Sequence, residues 1–289
     1  MIVWGSESGG GSATTNTGGI YYPVTNTWKT ISTENAPTAR EMHSAIWTGD
    51  EMIVWGGCKS IYCSEVFNDG GRYNPDTDTW TPILPRASLA PRHFHQAFWT
   101  GEKMLIWGGT NDNQGAIYEP STDTWSFMSI ANAPTPTFQG AGVWTGTEMV
   151  VWGGCTVWST YPCPTHVNSG GIYNLATNTW RTITTTDAPE SRWTHTASWS
   201  GKEMVVWGGC GDECYSSGSK YNPYTNTWNL LDENNAPTPR ANHKAVWTGL
   251  YMIVWGGCDV GGCGDVNYFG TGGKLFMPAY QVFIPVVIK

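Results

Sequence analysis

Charge is scarce in this chain. Of 289 residues, 15 are Lys or Arg and 23 are Asp or Glu, a formal net charge of −8. No cluster of Lys and Arg is visible, so there is no basic surface to neutralise phosphates, and nucleic acid is not an expected partner. Long hydrophobic runs are also missing. No stretch approaches the roughly 20 apolar residues that a membrane-spanning helix needs, so no membrane span is expected. The longest apolar stretch near an end, VFIPVVIK at Val282 to Lys289, is short, contains proline and reads as a terminal strand. The N-terminus shows neither a charged leader nor an apolar signal core, and Met1-Ile-Val-Trp-Gly already belongs to an internal motif. The sequence therefore reads as starting inside a structural unit.

What is abundant points the other way. The chain holds 36 Gly, 17 Pro and 18 Trp, with 40% hydrophobic residues, a composition of many short strands joined by turns. A motif recurs as MIVWGS at Met1, MIVWGG at Met52, MLIWGG at Met104, MVVWGG at Met149 and Met204, and MIVWGG at Met252, with spacings of 51, 52, 45, 55 and 48 residues. A second phrase follows the first five copies: YYPVTNTW from Tyr21, YNPDTDTW from Tyr73, YEPSTDTW from Tyr118, YNLATNTW from Tyr173 and YNPYTNTW from Tyr221. A third precedes copies two to six, as in Arg40-Glu41-Met42-His43 leading to Ile46-Trp47-Thr48-Gly49. Each unit resolves into four strand-sized pieces, named here A (HSAIW), B (MIVWG), C (GGRY) and D (TDTWTPI). A short glycine hairpin links A to B, and a Pro-x-Thr-Asp/Asn turn links C to D. Strand B is apolar at consecutive positions, the pattern of a strand buried on both faces.

A four-stranded antiparallel unit repeating every ~50 residues is a propeller blade. With the double glycine after strand B and the Tyr…Trp pair around the C-to-D turn, the units resemble kelch repeats over nearly the whole chain. The expected fold is all-β: a six-bladed β-propeller in one domain over 1–289, with blades near 1–35, 36–89, 90–131, 132–187, 188–235 and 236–289. The first blade lacks an A phrase. The tail forms either strand D of the last blade or the missing inner strand of the first. Sixteen of the 18 tryptophans fall in repeat positions and read as packing between blades.

All eight cysteines lie in the B-to-C loops as local pairs: Cys58/Cys63, Cys155/Cys163, Cys210/Cys214 and Cys258/Cys263. Zinc would need pairs from different blades to converge, and the intervals follow no zinc pattern. Disulfides are the better reading, and they imply an extracellular or periplasmic setting. Each closes a small ring and restricts the unfolded chain by only roughly 2 kcal/mol. The staples therefore serve to hold the loops rigid for binding or against proteolysis.

Four of six histidines belong to an Arg-x-x-His phrase: Arg40/His43, Arg92/His95, Arg192/His195 and Arg240/His243. Its place before strand A puts it at the mouth of the central channel. A ring of imidazoles there could take a metal, but recurrence favours structural hydrogen bonding, and no metal or other cofactor is expected. The fourth blade has Thr137-Phe138-Gln139-Gly140 instead, which points to open space.

Residues outside the repeat wording are candidates for ligand contact. They are the loop aromatics Tyr62, Trp158, Tyr161, Trp193 and Tyr215, and the carboxylates Asp212 and Glu213. The four arginines of the phrase join them, as the carboxylate clamp that a resemblance to sialic-acid epimerases would imply. No catalytic constellation stands out. The leading expectation is an extracellular recognition module that binds carbohydrate or protein through the stapled loop face. Sialic-acid epimerases resemble this architecture and use arginine and acidic groups at the channel mouth, which makes a sugar-acting kelch-type enzyme the alternative. Galactose oxidase is similar in its blades, but its copper site needs a cysteine cross-linked to tyrosine, and every cysteine here has a nearby partner. A third reading is a structural or adhesive unit that self-associates through the incomplete first blade or the C-terminal strand.

Overall fold

The computed structural model describes residues 1–6, 14–60, 63–157, 163–259 and 267–276. The chain is a six-bladed β-propeller built from antiparallel sheets, with no helix among the described residues. The first sheet has three strands in the order β1 (Ile2–Trp4), β2 (Gly18–Tyr22) and β3 (Thr27–Thr30). These are pieces B, C and D. Blades two to five each have four strands in the order A-B-C-D, as in Ser44–Trp47, Met52–Trp55, Gly70–Asn74 and Thr79–Ile83 of the second. The sixth shows A, B and C (Lys244–Trp247, Tyr251–Trp255, Gly272–Phe276). Both placements of the tail fall on 277–289, outside the described residues. The chain divides into two compact units, one of Met1–Ile130 with Pro136–Phe138, the other of Ala131–Thr135 with Gln139–Lys289.

Within the first unit, Ile53 and Trp55 of the second blade pack against Met104, Ile106 and Tyr118 of the third. Within the second unit, Val150 and Trp152 of the fourth meet Met204, Val206, Tyr221 and Trp228 of the fifth. The consecutive apolar residues of strand B are thus explained: alternate positions face alternate neighbours. Met52 to Trp55 are all buried, as expected for both faces. The sixth blade departs from this, because Met252 and Val254 are covered while Ile253 and Trp255 are 38% and 61% exposed.

The Tyr-x-x-x-Thr-Asp/Asn-Thr-Trp phrase is a clamp on the preceding blade. Tyr73 Oη donates to Asp78 Oδ1 at 2.6 Å, and the same oxygen accepts the Ser32 amide of the first blade at 2.9 Å. Trp80 Nε1 then donates to the Ser32 carbonyl at 2.9 Å. In the second unit Asn226 Oδ1 accepts from the Tyr221 hydroxyl and the Thr184 amide, and Trp228 Nε1 donates to the Thr184 carbonyl. One side chain therefore joins a turn, its own strand C and the neighbouring blade.

The double glycine has two separate causes. At Gly56 (φ +66°) a Cβ would lie 2.8 Å from the Arg92 carbonyl and from His95 Cε1 of the next blade. At Gly57 (φ +91°) it would lie 2.5 Å from the Glu41 carbonyl of the same blade. The first glycine admits the neighbour and the second admits strand A's lead-in.

Asp78→Ala is expected to lower stability by about 2 kcal/mol, since two partners are left in a partly buried site. Asp78→Asn, which copies the fifth blade, is expected to stay within ~0.5 kcal/mol of the parent. Urea unfolding of the three proteins measures the difference, and equal losses for both substitutions would refute the clamp.

Candidate functional site

The loops that carry the cysteines start from a constant root. In three blades the first cysteine extends the sheet by pairing with the residue after the phrase arginine: Glu41 with Cys58, Trp193 with Cys210 and Ala241 with Cys258. Each pair exchanges two backbone hydrogen bonds of 2.9 to 3.0 Å. The disulfides Cys58–Cys63, Cys155–Cys163 and Cys210–Cys214 are formed, and no described cysteine is free. Cys258 is disulfide-bonded as well, while Cys263 lies outside the described residues.

The phrase arginines belong to that root, and this corrects their assignment to ligand binding. Arg40, Arg92 and Arg192 are 0% exposed and Arg240 is 1% exposed. Arg192 Nη1 donates to the carbonyls of Gly208 and Ser217, both at 3.0 Å, and its Nε donates to the Glu190 carbonyl. Arg40 and Arg240 bridge Gly56 with Asp69 and Gly256 with Thr271 in the same manner. Each guanidinium thus ties the first glycine of a B-to-C loop to the residue that ends the loop. Its face is covered too, by Phe67 at 4.3 Å for Arg40, Tyr215 at 4.4 Å for Arg192 and Phe269 at 4.5 Å for Arg240. These guanidiniums are buried against backbone carbonyls, whereas the clamp that the epimerase resemblance implies needs them open to a substrate carboxylate. In the fourth blade Thr137 replaces the arginine, and Trp152 Nε1 takes a carbonyl of the same loop end, Asn168. The space expected there holds buried side chains: Phe138 is 4% exposed, with its ring 5.3 Å from His93.

The phrase histidines pack edge-on against the strand-B tryptophan of the preceding blade, as Trp55 with His95 and Trp152 with His195, both at 5.3 Å. His95 Nε2 also meets Ser44 Oγ, and His243 Nε2 meets Thr196 Oγ1, at 2.8 Å each. Burial, and then the adjacent arginine, push His43 and His243 down to about 4 and His195 down to about 3. The imidazoles are therefore neutral structural groups at physiological pH.

The aromatic candidates divide. Trp193 is 1% exposed, so it is a core residue and not a ligand platform. Its position beside Cys210 in the extended ladder is what buries it. Tyr62, Trp158 and Tyr161 lie outside the described residues. In the second unit the structure does bring Tyr215, Asp212 and Glu213 together, with three residues that sequence reasoning missed. His166 Nδ1 lies 2.8 Å from Ser191 Oγ, and His166 Nε2 lies 3.8 Å from Asp212 Oδ1. Glu190 reaches Arg192 at 3.5 Å while remaining largely exposed. Burial, and then Glu190, raise the Tyr215 phenol, so it stays a protonated donor. The site is a stapled loop with three carboxylates, a phenol and an imidazole, above an arginine whose charge is enclosed. His166 was one of two histidines outside the repeat phrase, and that was the available signal.

A second missed feature is backbone strain. The residue before each phrase histidine has positive φ without being glycine: Met42, Phe94, Thr194 and Asn242, and Gln139 in the fourth blade, at 52° to 55°. Thr194 N donates to the Gln139 carbonyl and Asn242 N to the Thr194 carbonyl, so the kink carries a hydrogen bond between consecutive blades.

Two outcomes follow. Arg192→Lys is expected to lower stability by about 2–3 kcal/mol, because one ammonium cannot reach the carbonyls that the planar fork spans. Calorimetry showing an unchanged melting temperature would refute the role. Because the histidines are depressed in the fold, stability is full above the unfolded pKa near 6.5 and falls as pH drops toward about 4, where only the unfolded chain takes up protons. Melting temperatures between pH 7.5 and 4.5 that stay flat would contradict this.

Comparison with known proteins agrees with the geometry. A family model of the Attractin/LZTR1 beta-propeller matches residues 62–261. The "tRNA wybutosine-synthesizing protein 2/3/4" of Arabidopsis thaliana is 34% identical over 111 residues, 38% of this chain and 11% of that protein. "Kelch domain-containing protein 3" of Bos taurus is 34% identical over 91 residues, 30% of this chain and 23% of that protein. The human protein of the same name is 31% identical over 103 residues, 30% of this chain and 25% of its own length. The matched segments thus span a tenth to a quarter of these relatives. Repeat phrases, blades and family match agree: the chain belongs to the Attractin/LZTR1 β-propeller family, of kelch type.

Proposed function

We propose that this protein is an extracellular recognition module that binds a protein partner through the stapled loops of its B-to-C face. The observation that carries the reading is the Cys210–Cys214 loop of the fifth blade. It is rooted in the sheet and closed by a disulfide, and it presents the exposed carboxylates of Asp212 and Glu213 beside Tyr215, whose ring covers Arg192. A rigid loop loses little entropy on binding, and exposed carboxylates select a basic surface. The three described disulfides are consistent with an oxidising compartment. Kelch-type relatives support a binding role, and the acidic loop favours protein over the carbohydrate also considered from sequence.

The test is retention of the purified chain on arrays of extracellular proteins and of glycans at physiological salt. Specific retention by a protein is expected, weakened at least about tenfold by Asp212→Asn with Glu213→Gln and steeply reduced by added salt. Cys210→Ser with Cys214→Ser is expected to weaken binding while lowering stability by no more than roughly 2 kcal/mol. Retention by glycans alone would replace the proposed ligand class, and retention on neither array would end the reading.

A further inference from the structure

We propose that the cleft between the fourth and fifth blades, on the face opposite the stapled loops, binds a neutral pyranose unit of a glycan. The strands of a blade alternate in direction, so the A-to-B and C-to-D turns leave at the end away from the B-to-C loops. In the second unit these turns frame a cleft of about 730 Å³. Thr147, Glu148, Arg181 and Thr182 of the fourth blade line one side, and residues 223–226 of the fifth line the other. All of them lie within the second unit, and none belongs to the acidic loop of the fifth blade.

Its polar floor is held by contacts between the two blades. Arg181 Nη1 donates to the Pro223 carbonyl at 3.0 Å, and Nη2 donates to Glu148 Oε2 at 2.7 Å. Glu148 Oε1 accepts from Asn174 Nδ2 at 3.4 Å. The planar guanidinium and the carboxylate each have more hydrogen-bonding positions than these contacts use, and the Arg181 side chain is 43% exposed. Their charges cancel. An anionic ligand would meet Glu148 and a cationic one Arg181, so the matching ligand is neutral and carries groups that both donate and accept. Neighbouring sugar hydroxyls have that chemistry.

Tyr224 supplies the wall. It is 74% exposed, on a turn that Asn222 Oδ1 fixes by accepting the Tyr224 amide at 2.9 Å. The corresponding residues of the other turns are Val24, Asp76, Ser121 and Ala176, so the aromatic ring is peculiar to this blade. The groove between the second and third blades gives the comparison. Arg72 Nη1 there reaches the equivalent carbonyl, that of Pro120, at 2.8 Å. That groove has Ser121 where the ring would stand, and Asp50, Glu51, Glu102 and Glu119 line it. The arginine-to-carbonyl contact therefore belongs to the fold, whereas the exposed ring beside a neutralised donor–acceptor pair belongs to this cleft alone of the two. The apolar C–H face of a pyranose stacks on such a ring while its hydroxyls meet Arg181 and Glu148.

The test titrates the full chain with lactose, cellobiose, maltose and mannobiose, followed by saturation-transfer NMR of the sugar. Saturable binding of at least one is expected, with a Kd on the order of 1 mM. Tyr224→Ala, at an exposed turn position, is expected to weaken it about tenfold without moving the melting temperature. Sialyllactose is expected to bind no more tightly than lactose, and added salt is expected to change neither affinity. Saturation by none of the four disaccharides, or an affinity unchanged in Tyr224→Ala, overturns the proposal. Tighter binding of sialyllactose that added salt abolishes overturns the neutral class. Binding that survives Tyr224→Ala but is lost in Asp212→Asn with Glu213→Gln puts the sugar on the stapled face and overturns this site.

Discussion

The contact on which both units depend is the indole at the end of strand B. Trp55 lies 5.3 Å from Trp125 and from His95, and Trp152 keeps the same distances from Trp228 and His195. A flat, rigid side chain of this size removes a large apolar area from water, and its preference for tilted or edge-on neighbours sets how one blade meets the next. The rest follows from that approach. The histidine must be neutral to sit against the ring, and its backbone comes close enough that only glycine fits opposite. Once the sheets are this near, the loop carbonyls are shut off from water and need the buried guanidinium.

Most of this architecture is legible in the residues because each device recurs. The strand-B run, the double glycine and the Tyr…Trp phrase are local solutions to one packing problem solved in successive blades. What could not be read was direction. Arg-x-x-His looks equally suited to a ligand and to a backbone carbonyl, and only burial separates the two. Trp193 failed for a related reason. It departs from the repeat wording, yet it follows a structural arginine and inherits its depth.

Among the candidate residues, the structure leaves Asp212 and Glu213 exposed on the stapled loop, with Tyr215 beside them. Asp212, Glu213 and Tyr215 stand together because Cys210 and Cys214 fold the loop over the enclosed arginine. The pairing of His166 with Ser191 was invisible in the sequence, since they are 25 residues apart on different blades. Their pairing is a product of the long fourth-blade loop bending over its neighbour, and no periodicity reports it.

The root of the B-to-C loop is the same in the four blades that carry the arginine, and Trp152 closes that of the fourth blade instead. A glycine begins it and a fixed pair of carbonyls closes it, so the distance between the two ends is set by the sheet. The entropy of closing a loop whose ends are already fixed grows only slowly with its length. Loop size is therefore nearly independent of blade stability. The third blade passes from Gly109 to Gly115 in a few residues, while the fourth takes the chain from Gly154 to Gly170. Such a lineage can explore insertions on one face at little cost to folding, in the way antibodies vary their hypervariable segments on a constant frame.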